Sequence, residues 1–298
     1  MDEPLYSVIV NWNLKDDTLD CVNSFVEAGS SLDKIIVVDN ASTDVSIDAL
    51  RHQFGPLLNI LVNDKNLGYA GGLNTGINFV LQHHAEWILL INNDVIVDST
   101  FYFELIKGIR ENQEFKIISP LIFEYNRPTR IWFLGDKVIP LTLLTRSLSR
   151  GKIDQGNLVD VIPVDFVSGC AMMVHRCVFE SIGLFSTRFF MYAEEVDFIQ
   201  RARLAGFRSA TVTRAKMWHK ISASAGRDLP GTRYLKIYNQ ILFYKHYSSF
   251  WQLPLIFGFT LFRSIVISFK DLIKQRPELI APLIKGWFNG WFNSNVQT

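Results

Sequence analysis

Two apolar runs that stop abruptly in carboxylates and amides constrain this chain most. One is Val37-Val38-Asp39-Asn40-Ala41-Ser42-Thr43-Asp44; the other is Ile88-Leu89-Leu90-Ile91-Asn92-Asn93-Asp94. Short apolar, β-branched runs bounded by turn residues read as buried strands. In open α/β sheets, ligands bind beyond the carboxyl ends of the strands. Two such ends in one sheet predict a polar site at one sheet edge, suited to a nucleotide and a divalent metal.

The rest of the first two thirds supplies that sheet. Tyr6–Val10, Lys34–Val38, Ile60–Val62 and Trp87–Ile91 read as strands. Asp16 is placed to cap a helix with Leu19, Val22, Phe25 and Val26 on its apolar face. Gly68, Gly72 and Gly76 lie four apart, on one face of a helix able to approach its neighbours closely, and Phe79–His83 continue it. Alternating strands and helices of these lengths predict an α/β fold with a mostly parallel, Rossmann-like sheet flanked by helices. Phe101–Ile109 reads as a helix and Ile117-Ile118 as a strand. Residues 123–160, with Pro128, Gly135, Pro140, Gly151 and Gly156, read as an irregular excursion over part of the site. Strands follow at Val164–Val167 and Ala171–Val174, a helix at Glu194–Leu204 stopped by Gly206, and a short strand at Thr211–Thr213.

Composition narrows the function. Thirty Lys+Arg against 29 Asp+Glu leaves no basic excess, which argues against a nucleic-acid binder. Cys21, Cys170 and Cys177 are odd in number and lack metal-ligand spacing, as expected of reduced thiols in the cytosol. The acidic start Met1-Asp2-Glu3-Pro4 does not resemble a secretory signal. From Ser248 to Phe262 there is no charge and many aromatics, until Arg263 interrupts. A spanning helix needs about 20 apolar residues. The run is shorter and contains Pro254, so it reads as an amphipathic segment lying on a membrane surface. Trp287, Phe288, Trp291 and Phe292 beside Lys285 read as a second interfacial element. The alternative is a helical subdomain that packs these aromatics. The division expected is a catalytic domain over 1–247 and an apolar helical extension over 248–298.

The chemistry concentrates in four places. Asp39 can accept from a nucleobase N–H or a ribose hydroxyl; the same residues, with Thr43 or Asp44, also suit a turn or a helix cap. In an extended segment Asn92 and Asp94 share a face and Asn93 points opposite. Their oxygens suit Mg²⁺ or Mn²⁺, which take substrate phosphate oxygens as further ligands. Glu194, Glu195 and Asp197 crowd a helix N-terminus, where the dipole favours ionised carboxylates. An ionised carboxylate beside an acceptor hydroxyl is a general base, although acids are also ordinary in a first helical turn. His219, with Lys220, Ser222 and Ser224, is placed to ligate the metal or grip phosphate, or to serve structure alone. Trp132, Tyr192 and Trp218 are candidates for stacking on an acceptor sugar, or for the core.

Taken in order, the motifs resemble a known family. Val-Val-Asp-Asn-Ala-Ser-Thr-Asp at 37–44 is followed by Asn-Leu-Gly-Tyr-Ala-Gly-Gly-Leu-Asn-Thr-Gly at 66–76, and Asn-Asn-Asp at 92–94. Val-Ser-Gly-Cys-Ala at 167–171, Glu-Glu-Val-Asp at 194–197 and His219 complete the series. Over roughly residues 5–250 this resembles the family 2 inverting glycosyltransferases of GT-A fold, especially the bacterial rhamnosyltransferase-like branch. The resemblance implies that Asp39 and Asn40 bind the nucleotide, that Asn66 and Gly68 shape the loop beside it, and that Asn92-Asn93-Asp94 replaces the family's Asp-x-Asp motif. Asp94 is then the chief metal and diphosphate contact, with His219 and Asn92 as further metal ligands. The family's acidic pair is usually Glu-Asp with the second as base. Here that position is Glu195, with Glu194 and Asp197 as rivals. The implied partners are a nucleotide-sugar donor (dTDP-rhamnose or a UDP-sugar), a glycan or lipid-linked glycan acceptor, and the cytoplasmic face of a membrane.

Rival folds fit less well. A nicotinamide-dependent enzyme wants Gly-x-Gly-x-x-Gly after the first strand, where this chain has Asn11-Trp12-Asn13-Leu14-Lys15. A sugar-nucleotide pyrophosphorylase wants a Gly-rich basic loop near the N-terminus. A catalytically impaired scaffold of a glycan-assembly complex is the alternative that the departures at Glu195 and Asn92 leave open.

Overall fold

A computed structural model describes residues 5–139, 142–221 and 229–293. The chain divides into two compact units. The first is Met1–Lys137, Arg146–Phe190 and Glu195–Ile221; the second is Val138–Thr145, Met191–Glu194 and Ser222–Thr298.

The first unit opens with β1 (Leu5–Asn11), α1 (Lys15–Glu27), β2 (Ile35–Asp39), α2 (Ser46–Phe54), β3 (Asn59–Val62), α3 (Gly68–Gln82) and β4 (Trp87–Asn92). β1 lies between β2 and β4, β3 flanks β2, and all these pairings are parallel. β5 (Val95–Val97), α4 (Phe101–Glu111), β6 (Phe115–Glu124), β7 (Arg127–Phe133), β8 (Asp136–Val138), β9 (Thr145–Ser147), β10 (Val161–Val164), β11 (Ala171–His175), α5 (Arg176–Ile182), α6 (Glu194–Leu204) and β12 (Arg208–His219) follow. The main sheet runs β10-β12-β6-β11-β4-β1-β2-β3. β11 is antiparallel to both β4 and β6, while β6 and β12 are parallel to each other. The sheet is therefore parallel in its first half and mixed beyond β4. The excursion expected over 123–160 is more ordered than its Gly and Pro content implies. β7 folds back on β6, and β8 pairs with β9.

Strand alternation sends side chains to two faces. On one, Ile9 joins Cys21, Val22 and Phe25 of α1 and Phe101 and Tyr102 of α4 in the main core. On the other, α3 packs directly on β1 and β2. A Cβ added at Gly76 would lie 2.3 Å from Val8 Cγ1 and 3.0 Å from Val38 Cγ2, and one at Gly72 2.8 Å from Val10 Cγ1. The glycine spacing is thus the seat of α3 on the sheet.

Local details depart from the sequence reading. Asp16 lies inside the first turn of α1, whose cap position is Leu14. Asp44 serves instead: Oδ2 accepts from the Leu14 and Lys15 amides at 3.3 Å, and Oδ1 from the Ser46 amide at 3.0 Å. One carboxylate thus satisfies open amides at the starts of both α1 and α2.

The second unit contains α7 (Pro230–Tyr247), α8 (Leu253–Ile273) and α9 (Ile280–Phe292). α9 seats on α7 through glycines: a Cβ at Gly286 would lie 2.6 Å from both Ile237 Cγ2 and the Tyr234 carbonyl oxygen. α7 therefore groups with the C-terminal helices, whereas the boundary drawn at 247/248 assigns it to the catalytic domain. Neither Pro254 nor Arg263 interrupts α8. Pro254 occupies the first turn, where its missing N–H costs nothing, and Arg263 donates to Gln240 Oε1 at 2.9 Å. Phe250–Ile273 forms 24 helical residues, long and apolar enough by length and composition to cross a membrane. Phe250, Leu255, Phe262, Ile265, Phe269 and Ile273 are exposed. Trp287 and Trp291 turn inward, and both indole N–H groups donate to the buried Thr260 hydroxyl at 3.1 and 3.2 Å.

Candidate active site

The two acidic strand ends are joined by hydrogen bonds. Asn11, ending β1, donates to Asp39 Oδ1 at 2.7 Å and accepts from Thr18 Oγ1 at 2.7 Å and Asn93 Nδ2 at 3.1 Å. Asn93 also donates to Thr18 Oγ1 at 2.9 Å. Its side-chain amide therefore faces the interior beneath α1, and Asn93-Asp94 form a bend between β4 and β5 rather than a continuation of the strand. Asp39 is fully buried, and its Oδ2 accepts from the Ser42 amide at 2.9 Å. Asn40 is nearly as buried: it donates to Asn66 Oδ1 and the Gly68 carbonyl and accepts from Asn63 Nδ2 and the Leu67 amide. Asn66 Oδ1 also accepts from the Gly68 amide at 2.8 Å. Asp39, Asn40 and Asn93 thus form the framework under the site, and Asn66 and Gly68 shape the entry to α3. Gly68 has φ +72°, and a Cβ there would lie 2.3 Å from the Phe190 carbonyl oxygen, which accepts from the Tyr69 amide at 3.0 Å.

Asp94 and His219 meet above this framework. β5 follows Asp94 immediately and pairs with the end of β12, His219 opposite Val95. That register brings His219 Nε2 to 3.1 Å from Asp94 Oδ1, both residues buried. Burial opposes charge on the imidazole, but the Cys170 sulfur and the Asp94 carboxylate beside it push its pKa up to about 10. Trp132 packs edge-to-face on His219, ring centroids 4.6 Å apart, with the Arg150 guanidinium 5.5 Å from the Trp132 ring centroid. Trp132 therefore covers one side of the His219 ring. Trp218, one residue along β12, turns to the opposite face; its ring stacks on Phe123 and its N–H donates to the Pro128 carbonyl. That places it in the small core of Leu121, Phe123, Ile131 and Leu134 rather than with His219.

The fit of a divalent ion rests on the Asp94–His219 pair. Two adjacent ligands of an octahedral ion with bonds of about 2.1 Å are about 3.0 Å apart, and the pair stands at 3.1 Å. Among the described residues no three His, Cys, Asp or Glu side chains group as a metal cage, so an ion here would draw its other ligands from Asn92, substrate oxygens or water. Asn92 ends β4, its amide bonded to the Cys170 carbonyl at 2.9 Å. Lys220 does not stand ready for phosphate: its ammonium pairs with Asp17 at 3.0 Å and Asp20 at 2.6 Å, and its amide donates to the Asp94 carbonyl. Ser222 and Ser224 lie outside the described residues.

Of the three acids, Glu195 is partly exposed, while Glu194 and Asp197 are buried. Asp197 Oδ2 accepts from Arg201 Nε at 2.9 Å, and Arg201 donates onward to the Ile182 and Leu184 carbonyls. That pair ties α6 to the loop after α5. Glu195 lies along Gly169: a Cβ at Gly169 would be 3.1 Å from both Glu195 Cβ and Cγ. The Gly169 carbonyl accepts from the Tyr69 hydroxyl at 2.9 Å. Gly169 precedes Cys170, whose thiol lies close enough to His219 for the two to interact electrostatically. Asp94 and His219 thus meet from two segments, and Glu195 rests on Gly169, one residue before Cys170. Tyr192 and Glu194 group with the second unit. Sequence reading passed over two residues here. Cys170 stood in the Val-Ser-Gly-Cys-Ala motif with no role of its own. Trp12, 43 % exposed just past the end of β1, carried a clear signal: an aromatic immediately after a central strand.

Comparisons with known proteins give the family and the fold. Residues 7–183 match the family described as Glycosyl transferase family 2. The low-salt glycan biosynthesis hexosyltransferase Agl10 of Haloferax volcanii is 29% identical over 204 residues, 68% of this chain and 62% of that protein. This chain thus matches less than two thirds of that relative's length. The N-acetylglucosaminyl-diphospho-decaprenol L-rhamnosyltransferase of Mycobacterium tuberculosis is 25% identical over 244 residues, 74% of this chain and 78% of that one. Among solved structures, the Pyrobaculum calidifontis mannosyltransferase PcManGT, in complex with GDP-Man and Mn²⁺, superposes with a TM-score of 0.58 at 13% identity, covering 98% of this chain and 88% of that one. GalNAc-T7 with UDP, GalNAc and Mn²⁺ gives 0.60 at 12% identity, covering 80% and 47%. At such identities these two show the fold alone, a mixed sheet with flanking helices like that of GT-A glycosyltransferases. The chain belongs to glycosyl transferase family 2.

Proposed function

We propose that the protein is an inverting glycosyltransferase that moves a sugar from a nucleotide-diphosphate donor to a hydroxyl of a glycan acceptor. The observation that carries the reading is the buried Asp94–His219 pair at 3.1 Å; Glu195, at the start of α6, rests against Gly169. Glu195 is the base: partly exposed, at the start of α6, while Asp197 is committed to Arg201. It takes the proton of the acceptor hydroxyl, whose oxygen attacks the anomeric carbon from the face opposite the nucleotide. The bond to the diphosphate breaks and the configuration inverts. Asp94, His219 and Asn92 would hold Mg²⁺ or Mn²⁺, and the ion, when bound, neutralises charge on the diphosphate leaving group. Asn66 and Gly68 shape the nucleotide loop. Asp39 and Asn40, both buried, act by fixing the loop from Asn40 to Asp44. Trp12 offers an exposed ring for a nucleobase.

The family resemblance favours dTDP-rhamnose or a UDP-sugar as donor. The M. tuberculosis relative's name specifies a decaprenol-linked acceptor, and a lipid-linked glycan suits a chain with the exposed apolar stripe of α8. The stripe would hold the enzyme at the cytoplasmic face of a membrane. The test is a nucleotide-sugar panel on purified protein with lipid-linked acceptors, alongside flotation with lipid vesicles. Transfer from one donor with inversion, and co-flotation lost on removing residues 249–298, is the expected result. No transfer from any donor, or a truncated protein that still floats, counts against it.

A further inference from the structure

The second unit contains a buried polar side chain with an unusual task. Tyr192 and Ala193 both have positive φ, 67° and 76°. Neither is a residue type that tolerates the left-handed region, and two in succession are held there only if their surroundings impose it. Asn239, on α7 and 4 % exposed, donates from Nδ2 to two successive carbonyls of this segment, Met191 at 2.9 Å and Tyr192 at 3.1 Å. One turn back along α7, the Lys236 ammonium lies 4.8 Å from the Tyr192 ring centroid. The next residue in the chain after Ala193 is Glu194, the first of α6, and Glu195 follows it.

We infer that Asn239 is a positioning residue that holds Tyr192 and Ala193 in their left-handed conformation and thereby sets the start of α6. The logic is local. A side-chain amide has two N–H donors, and Asn239 aims them at carbonyls that a left-handed turn leaves without a helical or sheet partner. Removing the donors takes away the two hydrogen bonds that hold the strained pair to α7, and the segment relaxes toward an ordinary right-handed or extended path. Such a change would alter the direction from which the chain enters α6. α7 then has a part in the chemistry besides packing against α9.

This rests on the reading of Glu195 as the base, so the test uses two readouts. The first is hydrogen exchange of the peptide covering residues 190–196 in Asn239→Ala, which requires no activity. The second is steady-state transfer. Loss of two hydrogen bonds of ordinary strength corresponds to about a 30-fold change. Asn239→Ala is expected to raise exchange in that peptide and to lower kcat by about 30-fold, with the donor KM unchanged. Adding Ala193→Gly, which makes one positive φ free of strain, should restore most of the lost kcat. A merely structural role for Asn239 gives no such rescue. If Asn239→Ala does not fold, Asn239→Asp keeps the volume but turns a carboxylate toward two carbonyls, and should show the same pattern. Unchanged exchange and unchanged kcat, or a loss that Ala193→Gly does not repair, overturns the inference. Raised exchange with an inactive wild type overturns the catalytic reading and leaves the clamp standing.

Discussion

Gly169→Ala separates the seat of the base from the stability of the fold. The added methyl carbon would stand 3.1 Å from Cβ and Cγ of Glu195 and 3.4 Å from Cδ. Ordinary carbon contacts begin near about 3.5 Å, so the shortfall is about 0.4 Å. The atoms met belong to a side chain rather than to backbone and can give by that much, although Glu195 Oε2 is buried, which puts the stability cost at the low end for overpacking, about 1 kcal/mol. Activity is more sensitive. A displacement of about 1 Å of a reacting group costs about 100-fold, so about half that displacement costs about tenfold. The assay is kcat for transfer, with nucleotide affinity by calorimetry and thermal unfolding measured on the same preparation. The expected result is kcat down about tenfold, nucleotide affinity unchanged and a small fall in Tm. Gly76→Ala is the contrast. Its methyl would meet Val8 Cγ1 at 2.3 Å inside the sheet–helix seam, where nothing can give, and about 3 kcal/mol of stability should be lost. A Gly169→Ala protein with wild-type kcat would refute the placement of Glu195 as base.

Other expectations follow from the same contacts. Glu195→Gln should abolish transfer and keep nucleotide binding, whereas Asp197→Asn should act on stability, by weakening the pair with Arg201; the reverse pattern, read by activity and denaturant unfolding, would move the base to Asp197. Thr260→Val leaves the indole N–H groups of Trp287 and Trp291 without their acceptor, and denaturant unfolding should show a loss of about 2 kcal/mol. Burial raises the thiol pKa of Cys21, Cys170 and Cys177. A raised thiol pKa means less thiolate at pH 8, so alkylation of the native protein should be slow. Cys177, partly exposed, should react first, and Cys21 and Cys170 only after unfolding. Mass spectrometry of the alkylated peptides over time checks the order.

What the sequence revealed depended on whether a signal was local. β1 to β4 were legible because each is a compact apolar run, and α3 because its glycines mark a face. α6 was legible from Glu194 to Leu204, with Gly206 as its stop. α5 was not: seven residues carry little periodicity, and its cap is His175, whose Nδ1 accepts from the Cys177 amide, a residue outside the usual capping set. β12 was read as three residues and is twelve, because Arg214 and Lys216 interrupt its apolar character while their stems still fit a strand. The continuity of α8 was hidden for a similar reason. A charge at Arg263 looked like an end, but one partner on α7, Gln240, suffices to accommodate it. At the site, the residue types were legible and their directions were not. Asn40 and Asn93 read as ligand contacts in sequence, and the sequence could not show that their side chains also bond to Asn11, Thr18, Asn63, Asn66 and Gly68. Lys220 is likewise claimed by two aspartates on α1. Such assignments depend on contacts between residues distant in the chain.

The most direct test of the central claim is Asp94→Ala, assayed for sugar transfer from the donor that the wild type uses, with Mn²⁺ and with EDTA. The expected result is wild-type transfer that EDTA stops and Mn²⁺ restores, and no transfer by Asp94→Ala under either condition, with its circular dichroism unchanged. Transfer by the wild type that EDTA leaves intact, or turnover by Asp94→Ala close to that of the wild type, would contradict it.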